Sequence, residues 1–187
     1  MKEENEVHIK MQDTRVIKLY KSLFGCILEQ DIHLSLIYQD PSGFCLFLGR
    51  ISDALATENL KRLNILRVLS LADLDGKVKA KYKAETQIVI RKYEQVHDSD
   101  DQDLYQYFED SYEFIMSAFK QRSNILVHCA AGVSRSATIV IAFLMRHRSL
   151  SVEDSCRIVK EARPCICPNV GFLTQLVKFE RDMKFVC

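Results

Sequence analysis

The sequence predicts an α/β domain with a mixed, twisted sheet of about five strands, part of it parallel, flanked by helices on both faces. Three observations predict this. Apolar runs of strand length alternate with segments of helical period. The 187 residues are 48% hydrophobic and 27% charged, enough for one full core without disulfide or metal staples. Glycine (6) and proline (3) are scarce, and no repeat or low-complexity block breaks the pattern.

The elements follow in order. The first 15 residues are polar and read as a loose end. Val16, Leu19, Tyr20, Leu23 and Ile27 recur at helical spacing and predict an amphipathic helix over 14–29 that packs on its own domain. Asp40-Pro41-Ser42-Gly43 is a turn signal, and Phe44 to Leu48 then reads as a short buried strand ended by Gly49. Ser52 or Asp53 can cap a helix running to about Leu63, and Asn64 sits where helices often end in a left-handed residue. Ile65 to Leu71 is a strand-length apolar run, and residues 72–86 are charged and loop-like. Gln87 to Val96 carries one or two strands with Ile88, Val89 and Ile90 as their core. Leu104, Phe108, Tyr112, Ile115 and Phe119 mark the next helix, and Ile125 to Val127 a short strand. Ala137 to His147 is so apolar that the helix it forms must be buried. Ser151 with Asp154 fits a capping box for a helix ending near Ala162, where Arg163-Pro164 breaks it. Phe172, Leu176, Phe179 and Met183 carry the last helix.

Charge and cysteine usage narrow the function classes. Lys plus Arg number 26 and Asp plus Glu 25, a net charge of +1. So even a balance leaves no footprint of nucleic-acid binding. Seven cysteines at irregular spacing do not read as a secreted disulfide framework, so the expected compartment is reducing: the cytoplasm, with the nucleus as a second location. The start MKEENEVHIKMQDTR has no apolar signal core, and no stretch approaches the roughly 18 apolar residues of a membrane helix. Lys2 follows Met1 and Cys187 ends the sequence, so neither a myristoyl nor a prenyl motif is present, and no membrane anchor is expected.

The informative stretch runs from Ile125 to Ser136. A buried strand enters a loop of small residues, and a buried helix follows. That geometry gathers loop N–H groups and a helix N-terminus around one point, which makes an anion site. Cys129 opens the loop and Arg135 closes it, with Ala130, Ala131, Gly132, Val133 and Ser134 between them. A thiol among inward-facing amides at the positive end of a helix ionises more easily than a free one. The Arg135 fork can hold two oxygens of a phosphate. Ala130 and Ala131 leave the backbone accessible, and Gly132 permits a left-handed or close-approach conformation. A tetrahedral dianion held there presents phosphorus to the thiolate, and displacement of its alcohol gives a phosphocysteine.

The stretch HCAAGVSRS resembles the HCxxGxxRS signature of the cysteine-dependent protein tyrosine phosphatases. FLGRISDA, RVLSLADL, the helix ending in YEFI, AFLM and RPCICPNVGF resemble the small, atypical dual-specificity phosphatases among them. The resemblance covers roughly 37–183 and is weaker over 72–95. It implies an N-terminal extension at 1–36, a catalytic domain at 37–187, and hydrolysis of phosphotyrosine and phosphoserine or phosphothreonine monoesters. Its implied partners are phosphoprotein substrates, kinases among them. No cofactor and no metal is implied.

Ester cleavage near neutral pH also needs a proton for the leaving oxygen. A carboxylic acid on a mobile loop beside the pocket would supply it. In the family the acid lies just after a strand, about thirty residues before the cysteine, and Asp98 matches that place best, with Asp100 and Asp101 as alternatives. Asp103 reads as a solvated residue favouring the helix start. The resemblance gives Ser136 the role of easing departure of the thiolate, His128 that of ordering the loop, and Asn169 that of tying the loop to the next segment. A calcium loop through Asp98, Asp100 and Glu109 lacks its glycine, and a zinc site through Cys129, Cys165 and Cys167 has too tight a spacing. Cys45 and Cys165 are the candidates for trapping an oxidised Cys129. Other functions weighed are a phosphoinositide or RNA 5′ phosphatase, a catalytically dead phospho-binding module, and a scaffold acting through the 14–29 helix. The uncharged loop favours protein substrates over lipid, and intact Cys129 and Arg135 argue against a dead module.

Overall fold

The apolar run at the centre of the sequence, Ile125 to Val127, becomes the middle strand of the sheet, and everything that builds the site is hung on it. The computed structural model describes residues 14–24, 34–72 and 88–184. Five strands lie in the order β1-β2-β5-β3-β4: β1 is Ser35–Gln39, β2 Cys45–Arg50, β3 Ile65–Ser70, β4 Val89–Lys92 and β5 Asn124–Cys129. β1 pairs antiparallel with β2, and the other pairings are parallel. Alternate residues face opposite sides. Phe47, Ile65, Val68 and Leu126 pack with Ala54 and Leu60 on one face. Leu46, Leu48, Leu69, Ile125 and Val127 join the larger core on the other.

The smaller face is covered by α2 (Ile51–Leu55) and α3 (Thr57–Arg62). A single helix from Ser52 or Asp53 to Leu63 is thus corrected to two short ones, broken at Ala56 with ψ 67°. Neither Ser52 nor Asp53 is the cap. Arg50 occupies that position, and the Asp53 carboxylate accepts its N–H at 2.8 Å. Asn64 does take the left-handed conformation, φ 51°.

The larger face carries α4 (Phe108–Lys120), α5 (Arg135–Arg148), α6 (Val152–Ala162) and α7 (Val170–Lys184). A 3-10 turn, Tyr105–Tyr107, leads into α4. α5 is buried from Ser136 through Met145, as its composition requires. Ser151 caps α6 by accepting the Asp154 N–H at 3.0 Å, and its hydroxyl donates to the Asp154 carboxylate at 2.7 Å.

Two strand expectations need correction. β1 had no counterpart in the sequence reading, although Asp40–Gly43 is the turn that joins it to β2. The one or two strands expected over 87–96 reduce, among the described residues, to the four-residue edge strand β4, with Val89 exposed, Ile90 half-buried and Ile88 half-buried just before it. Gln87, residues 73–86, the loose end at 1–13 and the predicted helical residues 25–29 lie outside the described residues.

The N-terminal helix α1 (Thr14–Phe24) precedes the segment that carries the family resemblance, yet Val16, Leu19 and Phe24 are buried in the main core. The boundary proposed at residue 36 marks where resemblance begins rather than a gap in packing. Arg15 keys α1 onto α6 and α7. Its guanidinium donates to both carboxylate oxygens of Glu153, at 3.0 and 2.8 Å, and pairs with the buried Glu180 at 2.8 Å. Removing Arg15 leaves Glu180 charged in the interior. Arg15→Ala is expected to lower unfolding stability by about 2 kcal/mol, short of the full cost of a broken buried pair because Arg15 is over a third exposed. Denaturant titration checks this, and Glu180→Gln in the same chain is expected to recover part of the loss.

Candidate active site

The loop between β5 and α5 owes its shape to its carbonyl groups. Ala130 O accepts the N–H of Ile51 at 3.1 Å, and Val133 O that of Cys167 at 2.9 Å. Gly132 O and Ala131 O accept Nε and Nη2 of Arg163 at 2.8 and 3.5 Å. Ser134 O accepts the N–H and the hydroxyl of Thr138, each at 2.9 Å. Every peptide here is trans, so each N–H points away from the carbonyl before it. Turning five carbonyls outward therefore turns the N–H groups of residues 131–135 inward. The α5 N-terminus, with Arg135 as its first residue, adds its positive end to the same point.

Cys129 stands inside this ring, 1% exposed. Its sulfur accepts the Gly132 N–H at 3.2 Å and the Ser136 hydroxyl at 3.1 Å. Gly132 has φ +69°, and a Cβ there would lie 2.4 Å from Gly49 O and 2.8 Å from Arg163 Nη2. Only glycine fits both the left-handed conformation and the close approach.

Arg135 is aimed by its own anchoring. Nη1 donates to Leu71 O at 3.1 Å and Val96 O at 2.9 Å. Its Nε is buried without a hydrogen-bond partner among the described residues. Asp98 Oδ2 lies 3.5 Å from that nitrogen, close enough for an ion pair but outside hydrogen-bond geometry. One edge of the fork is thus fixed, and the Nε of the other lies beside Asp98 with its hydrogen bond unmade.

The structure brings Asp98 to the loop and takes Asp100 to α7. Asp98 Oδ1 accepts the Ser134 hydroxyl at 2.7 Å and the Asn169 amide at 3.1 Å. Asp100 instead accepts the N–H of Gly171 at 3.2 Å. The backbone around it touches α7 so closely that a Cβ on Gly171 would lie 1.9 Å from Asp100 O. Gln175 binds the same loop, accepting the N–H groups of Leu104 and Tyr105 at 2.8 Å and donating to Gln102 O at 2.8 Å. The loop expected to carry the acid is hydrogen-bonded to α7 along its length. Asn169 joins the pieces: its N–H reaches Ser134 Oγ at 3.4 Å, and its side-chain oxygen accepts the Phe172 N–H at 2.9 Å, capping α7.

His128 lies beside the site without entering it. It is fully buried, with Nδ1 3.2 Å from Cys129 O. Burial pushes its pKa down to about 4, against weaker opposing effects of that carbonyl and Asp53.

Sequence reasoning missed Arg163, which it took only as a helix breaker. Arg163 is 1% exposed and holds two loop carbonyls, and Nη1 donates to Ser35 at 3.2 Å. A guanidinium opening the RPCICPNVGF segment was the signal available. Cys45 is excluded as a partner for Cys129. Strand register sets Arg50, not Cys45, beside Cys129, which leaves Cys45 five residues away, roughly 16 Å along the sheet. A disulfide needs Cα atoms within about 7 Å. Cys45 also packs on the opposite face. Among the described residues no three His, Cys, Asp or Glu side chains gather as a metal site.

The profile of the family described as "Dual specificity phosphatase, catalytic domain" matches residues 46–182. The chain is 34% identical over 157 residues to dual specificity protein phosphatase MPK-4 of Drosophila melanogaster, covering 84% of this chain and 40% of that protein. It is 34% identical over 138 residues to MAP kinase phosphatase with leucine-rich repeats protein 2 of Dictyostelium discoideum, covering 74% of this chain and 19% of that one. The chain thus spans well under half the length of these relatives. The crystal structure of human DUSP28 superposes with a TM-score of 0.68 at 31% identity, over 80% of this chain and 95% of that one.

Two outcomes follow from the site. Gly132→Ala is expected to cost about 2 kcal/mol or more in stability, through strained backbone and the clash with Gly49. Calorimetric titration with phosphate is expected to show binding weakened at least tenfold, and wild-type binding would contradict the geometry. The second concerns pH. His128 has a folded pKa below its unfolded value, so the unfolded chain binds its proton first. Its stabilisation is present above about pH 6.5 and is lost toward pH 4, at up to about 1.4 kcal/mol per unit. Urea titrations at pH 7, 6 and 5 are expected to show a shallower decline for His128→Gln than for the wild type.

Proposed function

The chain belongs to the dual specificity phosphatase family, and from that premise we propose that it hydrolyses phosphotyrosine and phosphoserine or phosphothreonine monoesters of proteins through a phosphocysteine. One observation carries the reading: two donors converge on the Cys129 sulfur inside a loop whose carbonyls all face outward. The phosphate dianion takes the inward N–H groups of 131–135 and the Nε edge of Arg135, which places phosphorus over the sulfur. The thiolate attacks, a sulfur–phosphorus bond forms, and the phosphorus–oxygen bond to the side chain breaks. Asp98 gives its proton to the departing oxygen. In the second step Asp98 takes a proton from water as the water oxygen attacks phosphorus. The sulfur–phosphorus bond breaks, inorganic phosphate is released, and the Ser136 hydroxyl stabilises the charge returning to sulfur.

The loop side chains support a protein substrate. Ala130 and Ala131 are exposed at the mouth and Val133 is half-buried, so no cation there selects a polyanionic headgroup. Phosphorylated kinases are a substrate class consistent with the name of the Dictyostelium relative. Among the described residues no helix is long and apolar enough to cross a membrane. The described cysteines are free thiols, which suits the reducing cytoplasm or nucleus.

Cys129→Ser is expected to lower turnover of an aryl phosphate at least a hundredfold while phosphate still binds, because the amides and Arg135 remain. Asp98→Asn is expected to cost about a hundredfold for a poor leaving group and far less for a good one. Steady-state kinetics on a series of aryl phosphates and phosphopeptides checks both. A Cys129→Ser variant that kept more than about a hundredth of the rate would sink the nucleophile assignment.

A further inference from the structure

The phosphate loop is held from behind by the segment after α6, and that segment is in turn held by α1. Cys167 donates its N–H to Val133 O at 2.9 Å, and its thiol meets the Tyr20 hydroxyl at 3.6 Å. A second contact runs beside it. The Lys160 ammonium lies 5.3 Å from the centre of the Phe24 ring and donates to Ile166 O at 3.0 Å. Cys167 is thus met directly by Tyr20 of α1, and Ile166 is held by Lys160 of α6, whose ammonium α1 covers with Phe24. α1 has little freedom to present Tyr20 and Phe24 otherwise, because Arg15 fixes it to Glu153 and Glu180.

We propose that Tyr20 is a positioning residue for the phosphate loop, acting through Cys167 on the Val133 carbonyl. Val133 O is one of the five carbonyls whose outward direction turns the loop amides inward. The peptide that carries it also carries the Ser134 N–H, so a shift of Cys167 rotates one of the groups meant for the anion. The hydroxyl is protonated at neutral pH: the bond to Cys167, and Asp100 nearby, raise its pKa above the ordinary tyrosine value. It can therefore both donate to and accept from the thiol. Neither Tyr20 nor Cys167 is placed against phosphorus, so their effect is on alignment and not on chemistry.

The proposal rests on the loop being the catalytic site, and its test separates the two readings. Tyr20→Phe removes only the hydroxyl. It is expected to lower kcat on an aryl phosphate about three- to tenfold with KM within twofold and the thermal midpoint within about 2 °C. Cys167→Ala is expected to give the same loss, the double variant no more than either single one, and Cys167→Ser near wild-type kcat because a hydroxyl replaces the thiol. Deuterium exchange of the 130–135 amides, read by mass spectrometry, is expected to quicken in Tyr20→Phe and not in Cys167→Ser. In an active chain both changes are required, and either one alone overturns the proposal, as do additive losses in the double variant. Should the wild-type chain turn over no phosphomonoester, the phosphatase reading fails. The exchange measurement then still decides whether Tyr20 braces the loop.

Discussion

The arrangement rests on where five carbonyl groups point. A peptide that turns its oxygen toward the protein must turn the next N–H away from it, and the loop from Ala130 to Ser134 does this at each step. The donors come from different parts of the chain: the start of α2, Arg163, Cys167 and the first turn of α5. The anion site is therefore a property of the whole fold and not of nine consecutive residues. This explains the burial of Arg163, a large cation with 1% exposure whose donors end on loop carbonyls and on Ser35. It also explains why Gly132 tolerates no side chain: the loop is pressed between Gly49 and Arg163.

Asp98 reaches the loop by a parallel logic. Leu71 and Val96 both receive Nη1 of Arg135, so the guanidinium also ties the segment that leads into Asp98 to the loop. Gln175 and Gly171 clamp the rest of that loop to α7. Asn169 links Asp98, Ser134 and the α7 N-terminus with one side chain. Side chains held in this way lose little freedom when a ligand binds.

Much of this was legible in the sequence, for physical reasons that differ by residue. HCAAGVSRS could be read because its chemistry is local: strand, small-residue loop and buried helix are consecutive. The helices over 108–120, 135–148, 152–162 and 170–184 declare themselves by period and caps. What could not be read depends on distant partners. β1 is an edge strand with an irregular register between Leu36 and Tyr38, so it lacks a clean alternation. The break at Ala56, where ψ is 67° and the N–H turns back to Asp53 O, has no proline or glycine to mark it. Arg163 looked like punctuation because its carbonyl partners lie some thirty residues earlier. Cys45 seemed close to the loop until strand register placed it at the far end of β2. That Asp98 faces Ser134 while Asp100 faces Gly171 is likewise set by partners distant in sequence.

The most direct test of the account is a crystal structure of the chain with orthovanadate. Vanadium is expected bonded to Cys129 Sγ, with equatorial oxygens on the N–H groups of 131–135 and on the Nε edge of Arg135, and the Asp98 carboxyl at the apical oxygen opposite the sulfur. Vanadate bound elsewhere, or bound at this loop with the carbonyls rather than the amides turned toward it, would contradict the account.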